Sequence, residues 1–244
     1  MIKLTLPPKP TRLAQEENSL TQEFIESGKK KSVWKKDYIT RPLLEMSHNK
    51  CAYSEIKLNQ ESTYMEVEHF KHKDQYPEDV VNWNNLLPSC KKCNTTKGTV
   101  DMAIYPIVNP VFDNPSDHLY VKGFRFHYKD DKGKRTIKLV ALNDIEHFVK
   151  PRFECAQYVL DRLLLNFDML KKADAIDSSA SISAIKTILE SCGPHSVYSA
   201  VIATYLLYEC PDINAMYSYL KDNGLWDSEF ERINNILKSI ALPA

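Results

Sequence analysis

A C-x-x-C turn with an asparagine directly behind it, the stretch "SCKKCNTTKG" at residues 89–98, limits this chain more than any other feature of its sequence. Each such turn presents two sulfurs on one side, which is half of a tetrahedral zinc site, so the chain must fold other ligands against Cys90 and Cys93. The upstream counterpart is "CAYS", in which Cys51 is followed by Ser54 where a second cysteine would stand. An alcohol is a poor zinc ligand at neutral pH. Three arrangements stay open: no metal, zinc on Cys51, Cys90 and Cys93 with a water, or zinc that borrows His48 from the spacing "HNKC". Residues 51–98 are rich in Cys, His, Asn and carboxylates and poor in long apolar runs, so this segment needs a metal or neighbours to hold it.

A chain of 244 residues has room for one such small stapled unit and a second piece with an ordinary core. Its formal net charge of +0 excludes a uniformly basic nucleic-acid coat, so any phosphate-binding surface must be local. "MIKLTLPPKPTRLAQEEN" has no continuous apolar core and "VYSAVIATYLLY" is too short to span a bilayer, so a cytoplasmic protein with no membrane partner is expected. Cysteines in that compartment are not a disulfide framework; Cys155, Cys192 and Cys210 read as core residues.

Along the chain, "PPKP" suits an extended arm, and a polar helix over 11–28 can end at Gly28. "KKKSVWKKDY" then sets five lysines around Trp34, a pattern that either grips a phosphate backbone or is a solvated face. "HLYVKGFRFHY" and "RTIKLVAL" flank "KDDKGK" and predict a β-hairpin with its turn on Asp and Gly. From Asn143 the apolar spacing becomes helical, with Pro151 as a kink or break, Ser178 and Asp212 as caps, and Gly224 as a stop. The run "CGPHSVYSAVIATYLLYEC" at 192–210 reads as a buried helix in preference to a docking surface.

Between the cysteine-bearing segments, "MEVEHF" carries Glu68 and His69, and "WNNLLPSCKKCN" carries Asn85 and Asn94. Together, "CAYSE", "VEHF" and "WNNLLPSCKKCNTTKG" resemble the HNH endonuclease family, the ββα-metal nucleases, with His69, Asn85 and Asn94 as the motif. With "NPVFDNPSDHLYV" and "VALND" the chain is similar to the PtuB-like HNH subunits of Septu and retron antiphage systems. The resemblance implies an α+β fold: a small ββα-metal core with a β-hairpin, followed by an all-helical module. It divides the chain into an arm and helix with a basic patch (1–45), the nuclease domain (46–142) and a helical domain (143–244).

Phosphodiester hydrolysis needs an activated water, positive charge on the phosphoryl oxygens, and help for the departing 3′ oxygen. The resemblance implies His69 as general base, Glu68 and the Asn94 carbonyl oxygen as ligands of a catalytic Mg²⁺ or Mn²⁺, and Asn85 as the residue that orients the loop or the imidazole. It also implies DNA as substrate and a PtuA-like ATPase as partner. Lys97, three positions beyond Asn94, is expected to touch the phosphate backbone, as are Lys71 and Lys73; His72 could be a second imidazole at the site. His118, His127, His147 and His195 have no spaced partner, and Trp83 reads as a packing anchor. The alternative is a non-catalytic zinc module that binds nucleic acid or protein, for which His69 would be dispensable.

Overall fold

The computed structural model describes residues 1–59, 64–172 and 175–244. Two compact units emerge: Met1–His118 with Tyr128–Leu142, and Leu119–His127 with Asn143–Ala244. The arm at 1–45 groups with the motif-bearing residues, and 119–127 groups with the helices.

In the first unit, helix α1 (Thr11–Glu26) buries Leu13, Leu20 and Phe24, and α2 (Asp37–Met46) buries Ile39 and Leu43. These side chains meet Val67 of strand β1 (Met65–His69), Leu86 of β2 (Leu86–Cys90), and Val80, Val81 and Trp83 from the loop between the strands. Trp83 is the anchor expected of it: its indole N–H donates to Pro7 O at 2.8 Å, so the loop pins the proline arm.

The strands pair antiparallel with His69 opposite Leu86, Glu68 opposite Leu87 and Met65 opposite Cys90. Pro88 of β2 sits opposite Val67 without weakening this pair, because its carbonyl turns to Ala52 N–H at 2.9 Å and two strands make no central position. Helix α3 (Lys91–Lys97) follows β2 with no loop, which carries Cys93 and Asn94 directly from the strand into the first turns of the helix. A short turn of helix, α4 (Pro115–His118), closes this part of the chain.

The hairpin falls one segment earlier than predicted. Strands β3 (Leu119–Lys122) and β4 (Arg125–Tyr128) lie within "HLYVKGFRFHY" and join through Gly123 and Phe124, at φ +56° and +65°. Two left-handed residues in succession make the turn that matches strand twist, and glycine supplies the first without strain. "RTIKLVAL" is not the second strand: Asp131–Leu139 is helix α5. Asp130 caps it by accepting the Gly133 N–H at 2.7 Å. Gly133 also lets the helix approach His118, whose carbonyl oxygen would stand 2.1 Å from any Cβ there. Thr136, a strand former by propensity, is held in the helix by donating to Lys132 O at 2.7 Å and accepting from Val108 N–H at 2.8 Å.

In the second unit α6 (Lys150–Lys172) follows a π-turn at Ile145–Val149, so Pro151 sits in the first turn of the helix and breaks nothing. α6 packs on α7 (Ala175–Glu190), and Ser178 lies inside α7 where a cap was expected. Every residue of α8 (Ser199–Thr204) is buried; its apolar centre needs a covered face all round, and the buried Thr204 hydroxyl is satisfied by donating to Ala200 O at 2.6 Å. Asp212 stands in the first turn of α9 (Pro211–Asp222), where its charge favours the helix N-terminus, while Cys210 holds the cap position. α10 (Ser228–Ile240) leads to Leu242, whose backbone receives Val121 N–H at 2.8 Å and donates to the Thr204 hydroxyl at 2.8 Å. Among the described residues no helix is long and apolar enough to cross a membrane.

Candidate functional site

β1 delivers Glu66, Glu68 and His69, and α3 delivers Asn94, to one cleft of about 660 Å³ that Trp34, His72 and Lys73 also line. His69 closes β1 and is 6 % exposed. Its Nε2 lies 2.8 Å from Val80 O. A carbonyl can only accept, so Nε2 carries the proton and Nδ1 carries the lone pair. Burial pushes the imidazole down to about 4, so the ring is neutral at pH 7.

Asn94 donates its side-chain N–H to Glu66 Oε2 at 2.6 Å, which fixes the amide's orientation and leaves Oδ1 as an acceptor. Glu66 was not among the residues singled out in the sequence. The signal was there in the Glu-x-Glu of "MEVEH", since residues two apart share one face of a strand. Asn85 lines a different hollow and acts as a staple: Oδ1 accepts from Lys71 N–H at 2.7 Å, and Nδ2 donates to the carbonyls of Lys71 and Asp79, both at 3.1 Å. Asp79 precedes Val80, the acceptor of the His69 ring, so Asn85 reaches the imidazole only through the loop.

Glu68 is 1 % exposed and faces Lys97 Nζ at 2.6 Å. Lys97 is equally buried and also donates to His69 O at 2.9 Å. The structure therefore corrects the phosphate contact expected of Lys97: a carboxylate this deep needs a counter-charge, and the ammonium supplies it. Removing one partner of such a pair strands the other. Lys97→Met is expected to cost about 3–5 kcal/mol of unfolding free energy, read from urea titration without chelator and without added Mg²⁺ or Mn²⁺; a loss below about 1 kcal/mol would show that the pair is not closed to water.

Burial raises Glu68 to about 7, partly offset by Lys97. The two buried groups then oppose each other in acid. His69 is depressed, so its contribution is present above its ordinary 6.5 and is lost as pH falls towards 4; Glu68 is raised, so it adds stability as pH falls from 7 towards 4.5. Between these limits the two slopes oppose each other. Glu68→Gln removes the opposing contribution, and its urea midpoint should fall more steeply than the parent's from pH 6.5 to 4.5.

Lys71 pairs with Asp79 at 3.2 Å beside the Asn85 hollow, away from the cleft that His69 lines; Lys73 does line that cleft and approaches Asp74 at 3.5 Å. His72 lines the cleft too, and burial lowers its ring pKa.

On the far end of β2, the sulfurs of Cys51, Cys90 and Cys93 lie within 4.8 Å of one another and all three residues are buried. Zn–S bonds of about 2.3 Å put tetrahedral sulfurs about 3.8 Å apart, so the cluster fits zinc without rearrangement of its backbone. Ser54 Oγ stands 3.7 Å from Cys90 Sγ, beside the cluster, whereas His48 is not part of it. Burial resists charge on Cys51, yet hydrogen bonds from Cys90, Cys93 and Ser54 hold its thiol well below the usual range, a surrounding that favours thiolate. Tyr53, between Cys51 and Ser54 in sequence, is fully buried, and the nearby charges of Glu68, Cys51 and Cys93 add to burial in raising its phenol well above the ordinary value.

Two strands, a helix entered straight from the second strand, and a His, Asn, Asn order define the HNH class, and residues 49–99 match the HNH endonuclease family model. Over nearly its whole length the chain is similar to the Septu protein PtuB of Bacillus thuringiensis, 41% identical over 240 residues, which are 96% of this chain and 92% of that protein. The chain belongs to this family of PtuB HNH endonucleases. The Septu protein PtuB of Bacillus mycoides (strain KBAB4) is 30% identical over 143 residues, 45% of this chain and 48% of that protein.

Proposed function

We propose that the chain is a metal-dependent endonuclease that hydrolyses phosphodiester bonds of DNA in the cleft lined by Glu68, His69 and Asn94. The observation that carries this is the His69 ring: it is neutral at pH 7, held by Val80 through Nε2, and its Nδ1 keeps a lone pair to take a proton from water. Asn94 Oδ1 and the Glu68 carboxylate form an all-oxygen donor set, which suits Mg²⁺ or Mn²⁺. A bound divalent cation supplies positive charge against the phosphoryl oxygens and the departing 3′ oxygen. Glu66 keeps the Asn94 amide the right way round. Lys73 attracts the strand to the cleft mouth.

A net charge of +0 leaves the free chain poorly equipped to bind DNA by itself, which supports work beside a second subunit, a PtuA-like ATPase as in Septu antiphage defence. An exposed apolar row on α6, Tyr158, Leu165 and Met169, favours such a partner. The non-catalytic reading draws on the Glu68 and Lys97 pair, which already neutralises the carboxylate.

Supercoiled plasmid decides between them. Incubated with the protein, alone and co-purified with the ATPase, plasmid should be cut in Mg²⁺ or Mn²⁺ and left intact in EDTA. Cutting that survives EDTA, or no cutting by either preparation, overturns the nuclease reading.

A further inference from the structure

The lysine-rich stretch around Trp34 has no part in the chemistry just described, yet it forms a side of the same cleft. Ser32, Trp34 and Lys35 line it together with Glu68, His69 and Asn94. Val33, 2 % exposed, pins the stretch into the core, so Trp34 and Lys35 are presented by fixed backbone. The Trp34 ring meets His69 edge to face, with centroids 4.7 Å apart at 82°, and rests on Phe24 at 5.9 Å and 70°. His69 is thereby held from two directions, by its Nε2 bond to Val80 O and by the indole.

Charge is arranged around the same indole. Lys73 Nζ stands 5.9 Å over the Trp34 ring. Lys35 is exposed and, among the described residues, has no ion-pair partner, whereas Lys31 pairs with Glu23 and Lys29 donates to Asp74 O at 2.6 Å. One free and one loosely paired ammonium thus flank a cleft whose floor carries carboxylates, as a polyanionic strand requires.

We infer that Lys35 and Lys73 hold backbone phosphates of the nucleic-acid strand that enters this cleft, and that Trp34 is a positioning residue that keeps the His69 ring aimed. This rests on the nuclease reading above.

The test compares full-length wild type, Lys35→Ala, Lys35→Arg, Trp34→Phe and Trp34→Leu on a fluorescein-labelled DNA duplex. Anisotropy without chelator and without added Mg²⁺ or Mn²⁺, across a NaCl series, reads binding, and steady-state cleavage in Mn²⁺ reads kcat and KM. Lys35→Ala should lower the slope of log affinity against log salt by about 1 and raise KM with kcat within about twofold, and Lys35→Arg should restore both. Trp34→Phe should lower kcat severalfold and Trp34→Leu by at least about tenfold, with KM little changed, since a misaimed base slows chemistry without weakening phosphate contacts. A wild-type salt slope in Lys35→Ala, or wild-type kcat in the tryptophan variants, overturns the inference. Should Trp34→Leu fail to fold, the exposed Lys35→Ala and the milder Trp34→Phe still decide it. If wild type is inert alone, the same series is run on the complex co-purified with the ATPase; wild type that neither binds nor cleaves the duplex in that complex either brings down the nuclease reading itself, and this inference with it.

Discussion

His69→Ala is expected to fold like its parent and to cleave nucleic acid about 10²- to 10⁴-fold more slowly, the usual worth of a positioned general base. The size of the effect follows from how the imidazole is spent. Its Nε2 proton is committed to Val80 O, so the one group that can accept a proton from water is Nδ1, and alanine offers nothing in its place. Stability should suffer far less. The substitution removes one hydrogen bond and one aromatic edge, roughly 1–3 kcal/mol together, and removes at the same time a group that resists protonation. A circular-dichroism melt and single-turnover cleavage in Mn²⁺ separate the two effects. If the purified variant cut plasmid at the parental rate, His69 would not be the general base and another group would have to activate the water.

The parts of this site that could be read from the sequence are those joined by short spacing. Cys90, Cys93 and Asn94 lie in one turn, and Glu68 and His69 are neighbours, so residue type and separation already place them. What could not be read depends on who faces whom across the fold. Trp34 meets His69, and Glu66 meets Asn94, over long stretches of chain with no periodic relation between them. Lys97 shows the same limit from the other side. Its position beyond Asn94 suggests a phosphate contact, but only the depth of Glu68 reveals that the ammonium is needed inside.

The same contrast holds for the fold. Helical spacing after Asn143 and the largely apolar run at Ser199–Thr204 mark their elements because packing and pattern agree. "RTIKLVAL" has the β-branched and alternating character of a strand and is a helix, because Asp130 caps it and Gly133 lets it close on His118. Gly123 was the turn residue all along, and "KDDKGK", with its Asp and Gly, is equally good chemistry for a helix start.

Cys93→Ala is expected to remove the metal and with it the order of the first unit's metal-bearing segment. Wild type purified without chelator should carry about one zinc per chain, and Cys93→Ala close to none, because two thiolates and an alcohol do not hold zinc against water. Structural zinc contributes on the order of 10 kcal/mol to folding where the site is complete, against a whole-domain stability of about 5–15 kcal/mol, so a lost ligand is not absorbed by the rest of the core. The consequence reaches the cleft through one peptide bond. Cys93 is anchored in the cluster, Asn94 is the next residue, and its amide is held from the opposite side by Glu66. With Cys93 released, Glu66 can still bind the Asn94 amide but can no longer place it, and cleavage should fall by at least about a hundredfold. Ser54→Cys should do the reverse, offering a fourth thiolate from a side chain that now stands 3.7 Å from Cys90 and slowing zinc loss to a chelator. If wild type holds no zinc and Cys93→Ala melts at the parental temperature, the three sulfurs are only a packed core, and the aim of Asn94 must come from Glu66 and the strand pair alone.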